Sequence, residues 1–254
     1  MKKDLLLVAS VFFLMSVTAI TGVHAFEEKA KTVTISKYEG DVTGDGINET
    51  IQLKGVPYQG NDKYLKEIYI DISTEDDKKY TMPLDSGSKA SLKLVDLNKD
   101  GVKDLFANVL TGGRGGEGIT LNYLYTLKDF IRKDLTVPEP LEIESMYEDG
   151  YKAKITIGLT GKTYLFDLKD RKKYYKKLGF YYKGKLNEPM ELTVNSFNSL
   201  KPVKLTTGEF ILKGIQRITG IANADNIAYV ESTWKYGDGK WNFSTANVQT
   251  KKES

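Results

Sequence analysis

The sequence predicts an all-β protein. Three observations carry that expectation. Short runs rich in Ile, Val, Thr, Tyr and Leu recur along the chain, and many alternate apolar with polar residues, as half-buried strands do. Turn signals such as "SGS", "TGG", "EDG" and "YGDGK" separate them. No long stretch combines a helical period with helix caps. Many short, evenly spaced strands point to a sandwich, a barrel or a propeller.

In chain order, the expected strands are "TVTISKY" (32–38), "EIYIDIS" (67–73), "SLKLVDL" (91–97), "ITLNYLYTL" (119–127), "AKITIGL" (153–159), "KTYLFDL" (162–168) and "FILKGIQRI" (210–218). The best helix candidate is "KDRKKYYKKLG", and it is full of β-formers. One β-rich domain is expected over 26–250. "TVPEP" at 136–140 marks the boundary between two halves, 31–135 and 141–250, and the tail 251–254 is expected to be disordered.

The first residues set the expected compartment. Lys2 and Lys3 precede an apolar run from Leu5 and the small-residue ending "VHA", the pattern of a secretory signal cleaved after Ala25. The alternative is a retained membrane anchor. The run 5–23 is long enough to span, although Ser10, Ser16, Thr18, Thr21 and Gly22 weaken its second half. No Cys follows it, so no lipoprotein attachment site is expected, and past Ala25 no further apolar stretch is long enough to cross a bilayer. The expected location is therefore secreted or cell-wall associated.

Composition removes several chemistries. The chain has no Cys, which excludes disulfides and thiol nucleophiles. Its one His, His24, falls inside the presumed signal, which removes Ser-His-Asp hydrolysis, His-bearing zinc sites and histidine acid–base work from a mature chain. Loss of Lys2, Lys3 and Asp4 lowers the formal net charge from +3 to +2, so any basic patch must be local. A secreted protein without disulfides must rely on its core or on bound metal.

Two stretches supply metal-binding chemistry. "DLNKDGVKD" places Asp96, Asn98 and Asp100 at positions 1, 3 and 5, Gly101 at the sharp turn of position 6, the Val102 carbonyl at position 7 and Asp104 at position 9. "DVTGDGINE" repeats the arrangement with Asp41, Thr43, Asp45, Gly46, Ile47 and Glu49. Hard oxygen donors at this spacing suit Ca²⁺, which takes six to eight oxygens at roughly 2.3–2.6 Å. An EF-hand would need a carboxylate at position 12, where this sequence has Ala107 and Gln52, and helices on both sides, where it has strand patterns. The expectation is a structural Ca²⁺ in each of two nine-residue hairpin loops, weaker at the first because Thr43 is a poorer donor than Asn98. Turn formation alone also favours Asp, Asn and Gly at such positions.

Two loops of the form Asp-x-(Thr/Asn)-x-Asp-Gly-x-x-(Asp/Glu), flanked by apolar stretches such as "LKLVDLN" and "VKDLFANV", resemble the calcium loops of FG-GAP or VCBS-type repeats of integrin-like β-propellers. The chain also looks like small secreted VCBS-repeat proteins of Gram-positive bacteria. The resemblance covers 31–130 and thins beyond it, where "YLFDLKDRKKYY" keeps Asp167 and Asp170 and "YVESTWKYGDGKWNF" has the form of a terminal hairpin. It implies four-stranded blades and a propeller of four or five of them, at about 50 residues per blade. A β-sandwich with two calcium hairpins is the alternative.

Two further stretches are anion-binding candidates. In "TGGRGGEG", Gly113, Gly115 and Gly118 formally match G-x-G-x-x-G, but a strand pattern follows where a dinucleotide site needs a helix. The stretch reads as a glycine-rich hairpin loop; the alternative is an N–H nest built on Gly113, Arg114 and Gly115. "KDRKKYYKKLGFYYKGK" carries eight Lys or Arg and five aromatics against one Asp. It is either an amphipathic segment with its aromatics turned inward or a polyanion patch centred on Lys172, Lys173, Lys176 and Lys177. Wall polymer or anionic lipid would be its partner, with nucleic acid the least expected outside a cell.

These features point to a calcium-binding cell-surface or wall-associated module for binding or adhesion, whose partner is a wall polymer or a surface protein. The alternative is a secreted carbohydrate-active enzyme with a glycosidase-like carboxylate pair, drawn from Glu139, Glu142, Glu144, Glu148 and Asp149.

Overall fold

The computed structural model describes residues 31–58, 61–112 and 118–250, with 61–63 described by backbone alone. The presumed signal 1–25, the nest candidates Gly113, Arg114 and Gly115, and the tail 251–254 lie outside the described residues.

The expected strands are strands. The first sheet is a meander of β1 (Val33–Gly40), β2 (Glu49–Tyr58), β3 (Asn61–Ser73) and β4 (Lys79–Leu84). The second runs through β5 (Lys89–Val95), β6 (Asp104–Thr111), β7 (Ile119–Thr126) and the short β8 (Lys133–Asp134). The third has three strands, β9 (Ile143–Glu148), β10 (Lys152–Ile157) and β11 (Thr163–Asp167). A two-stranded ribbon follows, β12 (Tyr181–Tyr182) with β13 (Lys185–Leu186). The last sheet joins β14 (Thr193–Lys204), β15 (Phe210–Thr219), β16 (Asn226–Gly237) and β17 (Lys240–Gln249). Every pairing is antiparallel and every sheet keeps its strands in chain order. The protein is therefore all-β, as expected, in a succession of antiparallel meanders. Among the described residues the sheets do not close into a barrel or a propeller ring.

Side-chain period two explains how the sheets stack. Ile51 and Leu53 of β2 and Ile68, Ile70 and Ile72 of β3 face one core with Leu105, Ala107 and Val109 of β6. The intervening Phe106 faces a second core with Leu124, with Ala153 and Ile155 of the third sheet and with Leu212 and Val230 of the last. β6, at the middle of the second sheet, is thus buried on both faces, which is why it reads "DLFANVLT" with no clean alternation.

The helix candidate is a 3-10 turn, Lys169–Arg171, leading into α1 (Lys172–Lys177). Gly179, at φ +79°, reverses the chain and lets the Phe180 N–H reach back to the Tyr175 carbonyl at 3.1 Å. Tyr175 is the buried residue of α1 and stacks on Phe180, with ring centroids 5.9 Å apart. Arg171 pairs with Asp225 at 3.1 Å, and the Tyr175 hydroxyl donates to the same carboxylate at 2.6 Å, so α1 is docked onto the turn between β15 and β16.

The stretch expected to mark a boundary, 136–140, is tied to the last sheet at both ends. Trp241 Nε1 donates to the Thr136 carbonyl at 3.3 Å. Buried Gln216 accepts from the Leu141 N–H at 2.8 Å and donates to the Leu141 carbonyl at 3.1 Å. Residues from Thr32 onward form one compact unit.

Candidate metal centre

Both acidic stretches lie at hairpin tips. Strands β1 and β2 pair up to Gly40 opposite Glu49, and β5 and β6 up to Val95 opposite Asp104. The closing carboxylate of each loop is therefore the first residue of the returning strand. It is turned inward: Glu49 is 1% exposed and Asp104 0%.

The two loops share one hydrogen-bond plan. The position-9 carboxylate accepts from the N–H of position 2, as Glu49 does from Val42 at 2.9 Å and Asp104 from Leu97 at 2.8 Å. The position-1 carboxylate accepts from the position-6 glycine, Asp41 from Gly46 at 3.0 Å and Asp96 from Gly101 at 3.1 Å. The position-5 carboxylate accepts from position 7, Asp45 from Ile47 at 2.9 Å and Asp100 from Val102 at 3.0 Å. Gly46 and Gly101 sit at φ +86° and +87°, a conformation that a side chain strains. Equal spacing has produced equal geometry.

Their polar partners differ. In the first loop, Asp41 also accepts from Thr43 and Gly44, at 3.1 and 2.6 Å, and the Thr43 hydroxyl donates to Glu49 at 3.3 Å. Burial raises the Asp41 pKa, but the N–H groups of Gly44, Gly46 and Thr43, with the charge of Lys103, outweigh it and hold the carboxyl below its ordinary value. In the second loop, burial pushes Asp104 up to about 6; the N–H groups of Leu97 and Asn98 offset part of this, and the charges of Asp100 and Asp96 add to it. Asp104 Oδ1 and Asp96 Oδ1 are buried with no hydrogen-bond partner among the described residues. A buried, unpaired carboxylate oxygen costs free energy unless a cation or proton satisfies it.

The structure also brings the two loops together, which spacing along the chain does not signal. Gly44 lies against Val102, so close that a Cβ there would fall 2.8 Å from a Val102 methyl carbon. A 3-10 strap, Lys128–Phe130, touches both loops: the Asp129 N–H donates to the Thr43 carbonyl at 2.8 Å, and Lys128 Nζ donates to the Asp100 carbonyl at 3.0 Å. Beside the first loop is a cleft of about 400 Å³ whose lining includes Asp45, Glu49, Glu75, Asp76 and Phe130. The carboxylates are turned onto their own loops' N–H groups. Among the described residues no three acidic side chains converge closely enough to hold an ion by themselves.

The remaining candidates are elsewhere. Lys172, Lys173, Lys176 and Lys177 are all exposed on α1 or at its ends, with Tyr174 and Tyr182 exposed beside them at 45% and 67%. Tyr175 and Tyr181 point inward. The segment thus has both an apolar inner face and a basic, aromatic outer face. Among the acids of "EPLEIESMYEDG", Glu148 lies 3.9 Å from Lys154, and Asp149 accepts from the Leu186 N–H at 2.9 Å. Among the described residues no helix is long and apolar enough to cross a membrane.

Comparison with known proteins gives three matches. Residues 141–249, which span β9 to β17, match the family model described as the YybI C-terminal domain. An uncharacterized protein of Bacillus subtilis (strain 168), YybI, is 28% identical over 214 residues, 82% of each chain. The crystal structure of the exotype rhamnogalacturonan lyase YesX aligns with 86% of this chain at a TM-score of 0.38 and 15% identity. The present chain spans 33% of that lyase. These matches overturn the FG-GAP or VCBS resemblance, since both the family model and the sequence relative are YybI. The physical reason is local: Asp, Asn and Gly at these positions satisfy a tight loop's own N–H groups in any hairpin that turns this way.

Proposed function

We propose that this chain is a calcium-braced extracellular binding module whose outer basic face meets an anionic surface polymer. The observation that carries the calcium reading is the pair of unpartnered oxygens, Asp96 Oδ1 and Asp104 Oδ1, on carboxylates whose loop also supplies Asn98 and Asp100. A hard divalent cation satisfies buried carboxylate oxygens that the loop's N–H groups leave free. In the absence of disulfides, it braces the β5–β6 hairpin. The first loop, with the same plan, is the second and weaker calcium site.

The signal-like first 25 residues support export. Successive meanders, with β6 of the second sheet covered on both faces, support a propeller-like unit with the sheets as blades. The exposed lysines of the α1 segment, with Tyr174 and Tyr182 beside them, support polyanion binding.

Calcium titration followed by thermal unfolding tests the brace. Extracellular sites commonly bind at roughly 10⁻⁴–10⁻³ M, and calcium at ten times its dissociation constant adds about 1.4 kcal/mol. Asp96→Ala with Asp100→Ala is expected to remove the increment of the second loop. Equal melting temperatures of the wild type in calcium and in chelator defeat the brace. Sedimentation with purified cell walls tests the face: binding is expected to weaken between about 50 and 200 mM salt. Changing Lys172, Lys173, Lys176 and Lys177 to Gln is expected to flatten that dependence.

A further inference from the structure

We propose that the cleft between β1, β5 and the β14–β15 hairpin is a separate binding site for an acidic sugar unit. The cleft has a volume of about 380 Å³, within the roughly 300–1,000 Å³ usual for small-molecule sites. Three sheets contribute to it, so it is fixed by the fold.

Its walls are apolar and partly flat. Tyr38 and Phe210 supply rings, and Leu94 and Pro202 supply aliphatic surface. The Tyr38 ring is fixed because its hydroxyl donates to the Leu92 carbonyl at 2.8 Å. A pyranose ring presents C–H groups on its face, and these pack on such surfaces while its hydroxyls stay hydrated.

Its charge is positive. Lys93 and Lys103 line it, and among the described residues neither has a carboxylate within ion-pairing distance. Glu39, the acid in the lining, already faces Lys37 at 3.3 Å. Lys204, outside the lining, holds its ammonium 5.7 Å from the Phe210 ring centroid. Gly40 is the device that places Lys103. A Cβ there would fall 3.2 Å from Lys103 Nζ and 3.5 Å from a Leu94 methyl carbon, so the missing side chain leaves room for the ammonium at the end of β1.

A neutral sugar would use the walls and ignore the lysines, and a bare anion would do the reverse. A sugar carrying a carboxylate or a phosphate uses both. The cleft is separate from the basic face of α1 and shares Lys103 with the second acidic loop, where that residue stands between Val102 and Asp104 and its charge also acts on Asp41. The calcium reading rests on the carboxylates, so failure of sugar binding leaves it standing.

The test is ligand-observed NMR and titration of the full chain with glucuronate, glucose 6-phosphate, glucose and inorganic phosphate. At least one of the two charged sugars is expected to bind about tenfold more tightly than either glucose or phosphate. Preference for glucuronate identifies a uronate-bearing glycan as the source, and preference for glucose 6-phosphate a phosphosugar polymer. Lys93→Gln with Lys103→Gln, both exposed and therefore safe for folding, is expected to lose about tenfold in affinity. Phe210→Leu, which keeps apolar volume but removes the flat ring, is expected to weaken the charged sugar and leave phosphate unchanged. The quadruple variant of the α1 lysines is expected to bind as the wild type does. The proposal is overturned if neither charged sugar binds, if phosphate alone binds as tightly, or if the double lysine variant matches the wild type.

Discussion

Asp225→Ala is expected to cost about 3 kcal/mol of folding free energy, lowering the thermal midpoint by roughly 6–12 °C. Asp225 is 8% exposed at its side chain, and two groups converge on it. Arg171 Nε lies 3.1 Å from one oxygen, and the hydroxyl of fully buried Tyr175 donates to the other at 2.6 Å. Burial, and then donation to this carboxylate, push the Tyr175 phenol well above its ordinary pKa, so it remains a donor throughout the working range. Truncation leaves that hydroxyl unpaired in the core, at about 1–3 kcal/mol. It also strips Arg171 of its counter-ion, but this costs less than a fully buried charge would, because Arg171 is 27% exposed and keeps its bond to the Asn226 carbonyl at 2.7 Å. Asp225→Asn keeps an acceptor for Tyr175 and is expected to fall between wild type and alanine. Tyr175→Phe removes the stranded donor, so Tyr175→Phe with Asp225→Ala is expected to cost less than the two single changes added together. Urea unfolding of the four proteins supplies the cycle. An Asp225→Ala variant within about 0.5 kcal/mol of wild type, the spread of ordinary surface changes, removes the network from the account of how α1 is held.

Such a network marks where sequence reading stops. Strands with one wet face are plain in the sequence: Ile68, Ile70 and Ile72 alternate along β3 and land together in one core. β6 is harder because Leu105 and Phe106 are both buried, on opposite faces, and the alternation disappears. β14 is harder still. Its polar "TVNSFNSLKPVK" carries Pro202, and its pairing slips twice near Phe197. α1 is six residues long, with two β-forming tyrosines among four lysines, and it is fixed by Asp225, far along the chain, so local propensity alone does not announce it. The acidic loops divide the same way. Their internal bonds follow from spacing, since each joins residues of one loop. Their contact with each other depends on Lys128 and Asp129 and on the stacking of two sheets. Likewise Asp100 and Asp104 are the same letter, four residues apart in the sequence. One is exposed at the tip and the other is wholly buried at the start of β6, and the pleat of the strand decides which. The repeat-family resemblance failed at this level, because the motif it rested on reports the loop and not the sheets around it.

The buried member of that pair sets the largest pH effect expected of the chain. Without calcium, Asp104 titrates at about 6 in the fold and at its ordinary 3.8 when unfolded. Between those values the folded state holds a proton that the unfolded state has released, so stability falls as pH rises through the window. The fall from this group is on the order of 2–3 kcal/mol. Asp41 works in the opposite direction. Its pKa is lowered in the fold, so its contribution is present above its unfolded value and is lost as pH falls. Asp104→Asn separates the two, since the amide does not titrate and Asp41 is untouched. The difference in stability between wild type and Asp104→Asn in metal-free buffer is expected to shift against the wild type from about pH 4 to about pH 7. Calcium reverses this in the wild type, because it binds the carboxylate and competes with the proton. Its stabilising increment is expected to be small near pH 4.5, where Asp104 is largely protonated, and complete above about pH 7. The asparagine variant, with one charge fewer facing the ion, is expected to show a reduced increment that no longer tracks this titration. Urea midpoints from about pH 4.5 to 7.5, with and without calcium, measure all of these quantities. A calcium increment equal at both ends of that range, or a wild-type-to-variant difference that stays flat across it, separates the ion from Asp104 and with it from the second loop.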